Sequence, residues 1–317
     1  MKQLMLAERI CLIGHLVSMA FGLAGLLLVM PHPEFLSHVP AGQTMFRWSM
    51  AGGGVVYIVL GAIAVALYAY RTLGLRNWLT FMLPAVFLSL GSELLGTSTG
   101  FPFGNYSYLS GLGYKISGLV PFTIPLSWFY LGLASYLLAR TGLDSVERLQ
   151  STDVLRPMTW WRQIAAVLLG AVLLTSWDFV LDPAMSQTAM PFWYWHEPGA
   201  FFGMPYQNFA GWTATGCIFM AIAAVIWFRQ PIRLTAAQLD LPFTVYVGNF
   251  TFAMVMSLAA GFWQPVLLGI VVGLGPAALC WNRAKSIEAQ GAIASRTSMM
   301  DDPMSDLSST PVGVSSK

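Results

Sequence analysis

Three acidic residues stand inside otherwise apolar sequence, and their spacing suggests proton chemistry. Asp178 and Asp182 are four apart in the run Ser176, Trp177, Asp178, Phe179, Val180, Leu181, Asp182, Pro183. On a helix, that spacing puts both carboxyls on one face, and Pro183 predicts a helix end at the residue before it. Two carboxyls sharing a low-dielectric site do not both ionise easily, so one is expected to keep its proton. A carboxylic acid among apolar groups is a candidate general acid. Glu93 follows a largely apolar stretch and opens a run through Gly96, Thr97, Gly100, Pro102, Gly104, Asn105, Tyr106 and Tyr108. A charged side chain at the centre of a membrane helix costs about 2.5–3.5 kcal/mol on insertion scales, so an acid held there is by default a functional candidate. Thr97, one turn on, could share the face of Glu93. A third run holds Trp195, His196, Glu197, Gly203, Pro205, Tyr206, Gln207, Asn208, Gly211 and Trp212. Each run also has a purely structural reading. Glu93 could tie two helices together, Asp182 could cap a turn, Asn208 could be a helix N-cap, and the aromatics could form an interfacial belt.

The elements that position these residues are membrane helices. Of the 317 residues, 56% are apolar and only 9% charged, against about 25% charged in a soluble domain. Mean hydropathy is +0.64. Apolar stretches of spanning length, about 20 residues, fall at about 9–30, 49–70, 78–96, 119–139, 160–181, 207–228, 241–260 and 262–281. The expected fold is therefore an all-α polytopic transmembrane bundle of about eight spans. Lys2 and Arg9 precede the first span, which lacks a convincing cleavage site and reads as retained rather than as a signal peptide. With the N-terminus in the cytoplasm, only Arg47 and Lys115 of the sixteen basic residues fall outside. That agrees with the positive-inside rule and puts both termini in the cytoplasm. Glu93 then ends the third span and Asp178 and Asp182 end the fifth, all toward the outer side. The expected organisation is one membrane domain over 1–285 and a disordered cytoplasmic tail over 286–317, where no apolar period persists. Pro121 and Pro125 are expected to kink the fourth span. Asn249 reads as a helix–helix contact, and His15 as a satisfied packing histidine.

Several chemistries lack their residues. Four scattered histidines, His15, His32, His38 and His196, cannot build the clustered boxes of a di-iron oxygenase. No HExxH, phosphate-binding loop or dinucleotide fingerprint occurs, so neither a metal nor a cofactor is expected. The net charge of +2, without a Lys/Arg block, points away from nucleic acid. The cysteines Cys11, Cys217 and Cys280 sit in separate apolar segments with no pairing pattern. What remains is acid–base work by carboxyls on an apolar substrate.

The runs from Glu93 to Tyr108, from Trp177 to Pro183, and from Tyr194 to Trp212 together resemble the membrane-bound carotenoid 1,2-hydratase family, of the CruF type. The resemblance covers about 45–285. It implies a cofactor-independent hydro-lyase that adds water to the C-1′,2′ double bond of an acyclic ψ-end group. The substrate would be of the γ-carotene or lycopene type and the product a 1′-hydroxy carotenoid. It further implies the lipid bilayer as surroundings, either a bacterial plasma membrane or a cyanobacterial plasma or thylakoid membrane. Neighbouring carotenoid-pathway enzymes become candidate partners. The family brings no catalytic assignment, so the roles come from the residues. Glu93, Asp178 and Asp182 are the catalytic candidates. Thr97, Asn105, Tyr106, Tyr108, Trp177, Trp195, Tyr206 and Asn208 are the candidates for holding substrate or water. A carotenoid end-group cyclase would start from the same protonation. A proton-coupled or lipid transporter would use the acids differently, but would be expected to show inverted repeats, which the sequence lacks.

Overall fold

The computed structural model describes residues 1–148, 158–188, 191–228, 232 and 234–301. It is an all-α polytopic helical bundle with two very short β-ribbons. Helix α1 (Lys2–Ala24) continues through a π-helical turn, Gly25–Val29. Then come α2 (Gly42–Thr99), α3 (Thr123–Arg148), α4 (Trp160–Ser186), α5 (Tyr206–Ile226), α6 (Ala236–Ala259), α7 (Trp263–Gly269) and α8 (Gly275–Asp301). Strands β1 (Tyr106–Tyr108) and β4 (Trp193–Trp195) pair with each other, as do β2 (Lys115–Ile116) and β3 (Val120–Pro121). Among the described residues, six helical stretches are long and apolar enough to cross a membrane. Their outer faces carry large apolar side chains, including Phe21, Phe87, Val225 and Leu279, each more than half exposed. Such surfaces require a lipid surround.

One of the six stretches, Gly52–Thr99, has 48 residues. At 1.5 Å per residue it would reach about 70 Å, more than twice a hydrocarbon core of about 30 Å. The chain resolves this at Gly74, where φ 82° and ψ 163° interrupt the helix. Glycine adopts that conformation without steric penalty. The stretches expected at 49–70 and 78–96 lie on either side of it.

Helix α3 is absent from the six because its residues are not apolar enough, and its position explains why. Every residue from Ser127 to Gly142 is buried, and α3 touches α2, α4, α5, α6 and α8. It is the central post. Surrounded by protein, it needs no lipid-facing side and can carry Trp128, Tyr130, Ser135 and Tyr136 in its interior stretch. The expected kinks of this helix do not occur. Pro121 lies in β3, and Pro125 sits in the first turn of α3, where a missing N–H costs nothing. Pro183 does not end α4 either. The helix runs on to Ser186, with Pro183 lacking the N–H that Phe179 would otherwise accept. At the other end of the chain, α8 stays helical past the boundary expected at residue 285, as far as Asp301. Residues 302–317 of the expected tail lie outside the described residues.

A buried polar knot joins α1, α2, α3, α4 and α6. The Nδ1–H of His15 donates to the Tyr57 carbonyl at 2.7 Å, and Asn249 Nδ2 donates to His15 Nε2 at 3.0 Å. The Tyr130 hydroxyl donates to Asn249 Oδ1, and Trp177 Nε1 donates to the Asn249 carbonyl. His15 and Asn249 thus have the packing roles expected of them, and the knot fixes Trp177 next to Asp178. The close approach of His15 depends on Gly61, where a Cβ would lie 2.8 Å from the imidazole ring. Gly61→Ala should therefore lower stability by about 1–3 kcal/mol. Thermal unfolding in detergent micelles measures this, with Gly52→Ala, at an open position, expected to unfold like the parent.

Candidate active site

The run after Glu93 folds back over its own helix. Gly96 makes this possible, since a Cβ there would lie 2.7 Å from the Phe103 ring and 3.2 Å from the Tyr106 ring. The returning chain forms β1, and the loop after α4 forms β4. The two pair antiparallel, Tyr106 opposite Trp195, Ser107 opposite Tyr194, and Tyr108 opposite Trp193. Alternate residues of a strand face the same way, so this register points two tyrosines and two tryptophans inward together. The aromatic loops are therefore a structured lid with an inward face rather than only an interfacial belt.

Each inward side chain donates to a carboxyl. Tyr106 and Tyr108 both donate their hydroxyls to Glu93 Oε2, the latter at 2.8 Å. Trp128 of α3 donates its indole N–H to Glu93 Oε1 at 2.9 Å. Trp193 and Trp195 donate to Asp182 Oδ1 at 3.1 and 3.0 Å. Burial, reinforced by the neighbouring Glu93 carboxyl, holds the phenols of Tyr106 and Tyr108 well above the usual tyrosine range, so they remain donors. Asn208 of α5 bridges the aspartates, its Nδ2 lying 2.6 Å from Asp178 Oδ2 and 3.5 Å from Asp182 Oδ2. Glu93, Asp178 and Asp182 are each 2% exposed. Among the described residues, Asp178 accepts only the bond from Asn208, whereas Glu93 accepts three. No three acidic, histidine or cysteine side chains there come together as a metal-binding group.

All three carboxyls line one cavity of about 1160 Å³, its open mouth included. Tyr106, Tyr108, Trp177, Trp195 and Asn208 line it as well, and among the described residues no Lys, Arg or His does. Thr97, Asn105 and Tyr206, expected at the site, do not. The Thr97 hydroxyl turns back to the carbonyls of Glu93 and Leu94 in its own helix. Asn105 is exposed and contributes its carbonyl to the His196 N–H. Tyr206 is 64% exposed. Asn208 is not the N-cap of α5, since the helix starts at Tyr206 after Pro205, and this frees its amide for the aspartates. Three further tryptophans, beyond the residues expected to hold substrate or water, belong to the same cluster. Trp128 and Trp193 bind carboxyls directly, and Trp212 stacks on Trp128 with centroids 4.0 Å apart and meets Trp177 edge-on at 6.0 Å. The available signal was that a buried indole N–H needs an acceptor, and acceptors are scarce in this sequence.

Comparison with known proteins adds the biological setting. The model of the carotenoid biosynthesis protein family matches residues 53–276. The chain belongs to this family. A bisanhydrobacterioruberin hydratase of Haloarcula japonica is 38% identical over 197 residues, which cover 61% of this chain and 60% of that protein. The chain thus aligns with only about three fifths of that relative's length. No solved structure matches. The matched segment contains every carboxyl and every indole of the site described above, whereas α1 lies before it.

The donor pattern makes a stability prediction independent of any reaction. Trp193→Phe and Trp195→Phe each remove one N–H donor from buried Asp182 and should cost about 1–3 kcal/mol. Tyr194→Phe, on the outward face of the same strand, should stay within about 0.5 kcal/mol. Chemical or thermal unfolding of the purified variants measures both.

Proposed function

We propose that this carotenoid biosynthesis protein is a carotenoid 1,2-hydratase. It adds water to the C-1′,2′ double bond of an acyclic ψ-end group of the γ-carotene or lycopene type. The observation that carries the reading is a cavity walled by tryptophan and tyrosine, holding three buried carboxyls and, among the described residues, no basic side chain. With no basic side chain among the described residues lining the cavity, protons are the counter-charge at hand for the carboxyls, and an uncompensated buried charge is costly. The identity to a bisanhydrobacterioruberin hydratase supports the same class of reaction.

Asp178 is the proton donor. Among the described residues it accepts a single hydrogen bond, from Asn208, and it lines the cavity. Its proton goes to C-2 of the terminal alkene, the π pair forms the new C–H bond, and the positive charge develops at the tertiary carbon C-1. Glu93, fixed by three donors, has acceptor oxygens only and serves as the anion facing that charge. The rings of Trp177, Trp212 and Tyr106 add cation–π stabilisation of about 0.5–2 kcal/mol each. A water held by Asp182 and Asn208 attacks C-1 through its oxygen, and its surplus proton passes to Asp182. Transfer of that proton back to Asp178, one helical turn away on the same face, restores the starting state. The net change is alkene plus water to tertiary alcohol, with no oxidant or reductant.

The topology belongs to this proposal. Eight passes with both termini in the cytoplasm place the lid of β1 and β4 on the outer side, where water meets the apolar end group. The protein would reside in a bacterial plasma membrane or a cyanobacterial plasma or thylakoid membrane, beside other enzymes of carotenoid synthesis.

Expression in bacteria that accumulate lycopene or γ-carotene is expected to yield carotenoids heavier by one water. An isomeric product of unchanged mass would instead identify a cyclase, and unaltered carotenoids with the protein present in the membrane would defeat the proposal. Asp178→Asn and Glu93→Gln should each reduce product formation by about 10²–10⁴-fold at unchanged protein level. If both variants keep full activity, the acid is elsewhere.

A further inference from the structure

The cavity does not stop at the carboxyls. It continues as an apolar arm between α1 and the first part of α2. On α1 and the π-helical turn that continues it, Ser18, Gly22, Gly25 and Leu26 line it, and on α2, Ser49, Gly53, Tyr57 and Ile58 do. These positions follow i, i+4, i+7 and i+8 on α1, and i, i+4, i+8 and i+9 on α2. Each set is therefore one continuous helix face. From Ser18 to Leu26 the face is about 12 Å long. Phe252 of α6 joins the lining, stacked against Tyr57 with centroids 5.8 Å apart.

Two kinds of glycine occur along this arm. A Cβ at Gly54 would lie 3.2 Å from the Leu112 side chain, with the Gly111 carbonyl nearer still, so Gly54 is packed against the outer loop. Gly53 is different, since its Cβ would meet only the Ser49 hydroxyl, at 3.8 Å. At Gly22 the nearest atom is the Phe252 ring at 4.0 Å, and at Gly25 nothing lies within 4 Å. These three glycines are not required by close packing between the helices. They leave space. The space is continuous with the carboxyl end of the cavity and is bounded by α1, whose apolar window is only 11% buried.

We infer that this arm is the binding lane for the substrate's conjugated chain, and that Gly22, Gly25 and Gly53 determine whether a long linear polyene fits. The inference rests on the carotenoid reading above and deepens it. With the end group at Asp178, a rigid apolar chain must leave the cavity in some direction. The arm is the apolar exit, and the thinly covered α1 edge opens it sideways toward the bilayer. Entry is then lateral, from lipid, while the lid of β1 and β4 closes the polar end. The α1 wall lies before residue 53, where the family match begins. Its residues thus tune this chain's own substrate range.

The test uses the purified full-length protein in detergent. Gly22→Phe and Gly53→Phe fill the arm, and Gly52→Phe places the same ring at an open position that does not line the cavity. Two readouts are taken with lycopene: formation of hydrated product, and quenching of tryptophan fluorescence, because Trp177 and Trp212 line the same cavity. Gly22→Phe and Gly53→Phe should weaken binding and raise KM by about tenfold or more, with thermal stability like that of Gly52→Phe. Parental binding by both arm variants would overturn the lane. A parent protein that binds lycopene without hydrating it would overturn the hydratase reading alone, and the lane would still be judged by the quenching of the variants.

Discussion

Burying carboxyls in a low-dielectric interior is the constraint on which the rest of this structure depends. An acid there must be given donors or keep a proton. The fold supplies donors from the least expensive source, indole and phenol groups, which are largely apolar and carry one polar atom each. Trp128, Tyr106 and Tyr108 serve Glu93, and Trp193 and Trp195 serve Asp182. Among the described residues, no guanidinium or ammonium lines the cavity. The same groups that satisfy the acids also form an aromatic wall, which is a favourable surface for a developing carbocation.

This economy explains the position of the less regular elements. The β1/β4 ribbon is only three residues long on each strand, and such a ribbon has little stability by itself. It persists because its inward side chains are anchored on Glu93 and Asp182. Conversely, a one-residue slip of either strand would turn its two donors outward and take from Glu93 or from Asp182 two of the hydrogen bonds it accepts. Lid register and acid solvation are therefore one interaction. The central helix α3 contributes in the same way. Enclosed by five neighbours, it can carry Trp128 toward Glu93 and Tyr130 toward Asn249 at no cost in lipid exposure.

The polar knot around His15 extends the arrangement to the periphery. Through Asn249 it sets Trp177, and through Tyr57 it ties α1 to α2 at the wall of the cavity's apolar arm. The acid end of the cavity and its apolar end thus share one support, and each is shaped by residues from helices distant in sequence.

Much of this protein is legible without coordinates. Apolar runs of spanning length identify a polytopic bundle because no soluble fold can hide so many. The four-residue spacing of Asp178 and Asp182 puts them on one face because helix geometry is local, and the scarcity of charge makes Glu93 conspicuous. Tertiary structure decided what depended on long-range pairing. Asn208 looks like an N-cap in sequence, yet its amide crosses to Asp178, thirty positions earlier in the chain. Thr97 and Tyr206 look like site residues, yet one bonds its own helix and the other faces outward. Pro183 looks like a stop, yet α4 passes through it. Trp128 and Trp212 became visible only when α3 and α5 met, because an indole's partner is chosen by packing across helices. Sequence periodicity records which face of a helix is apolar. It does not record which other face that one will meet.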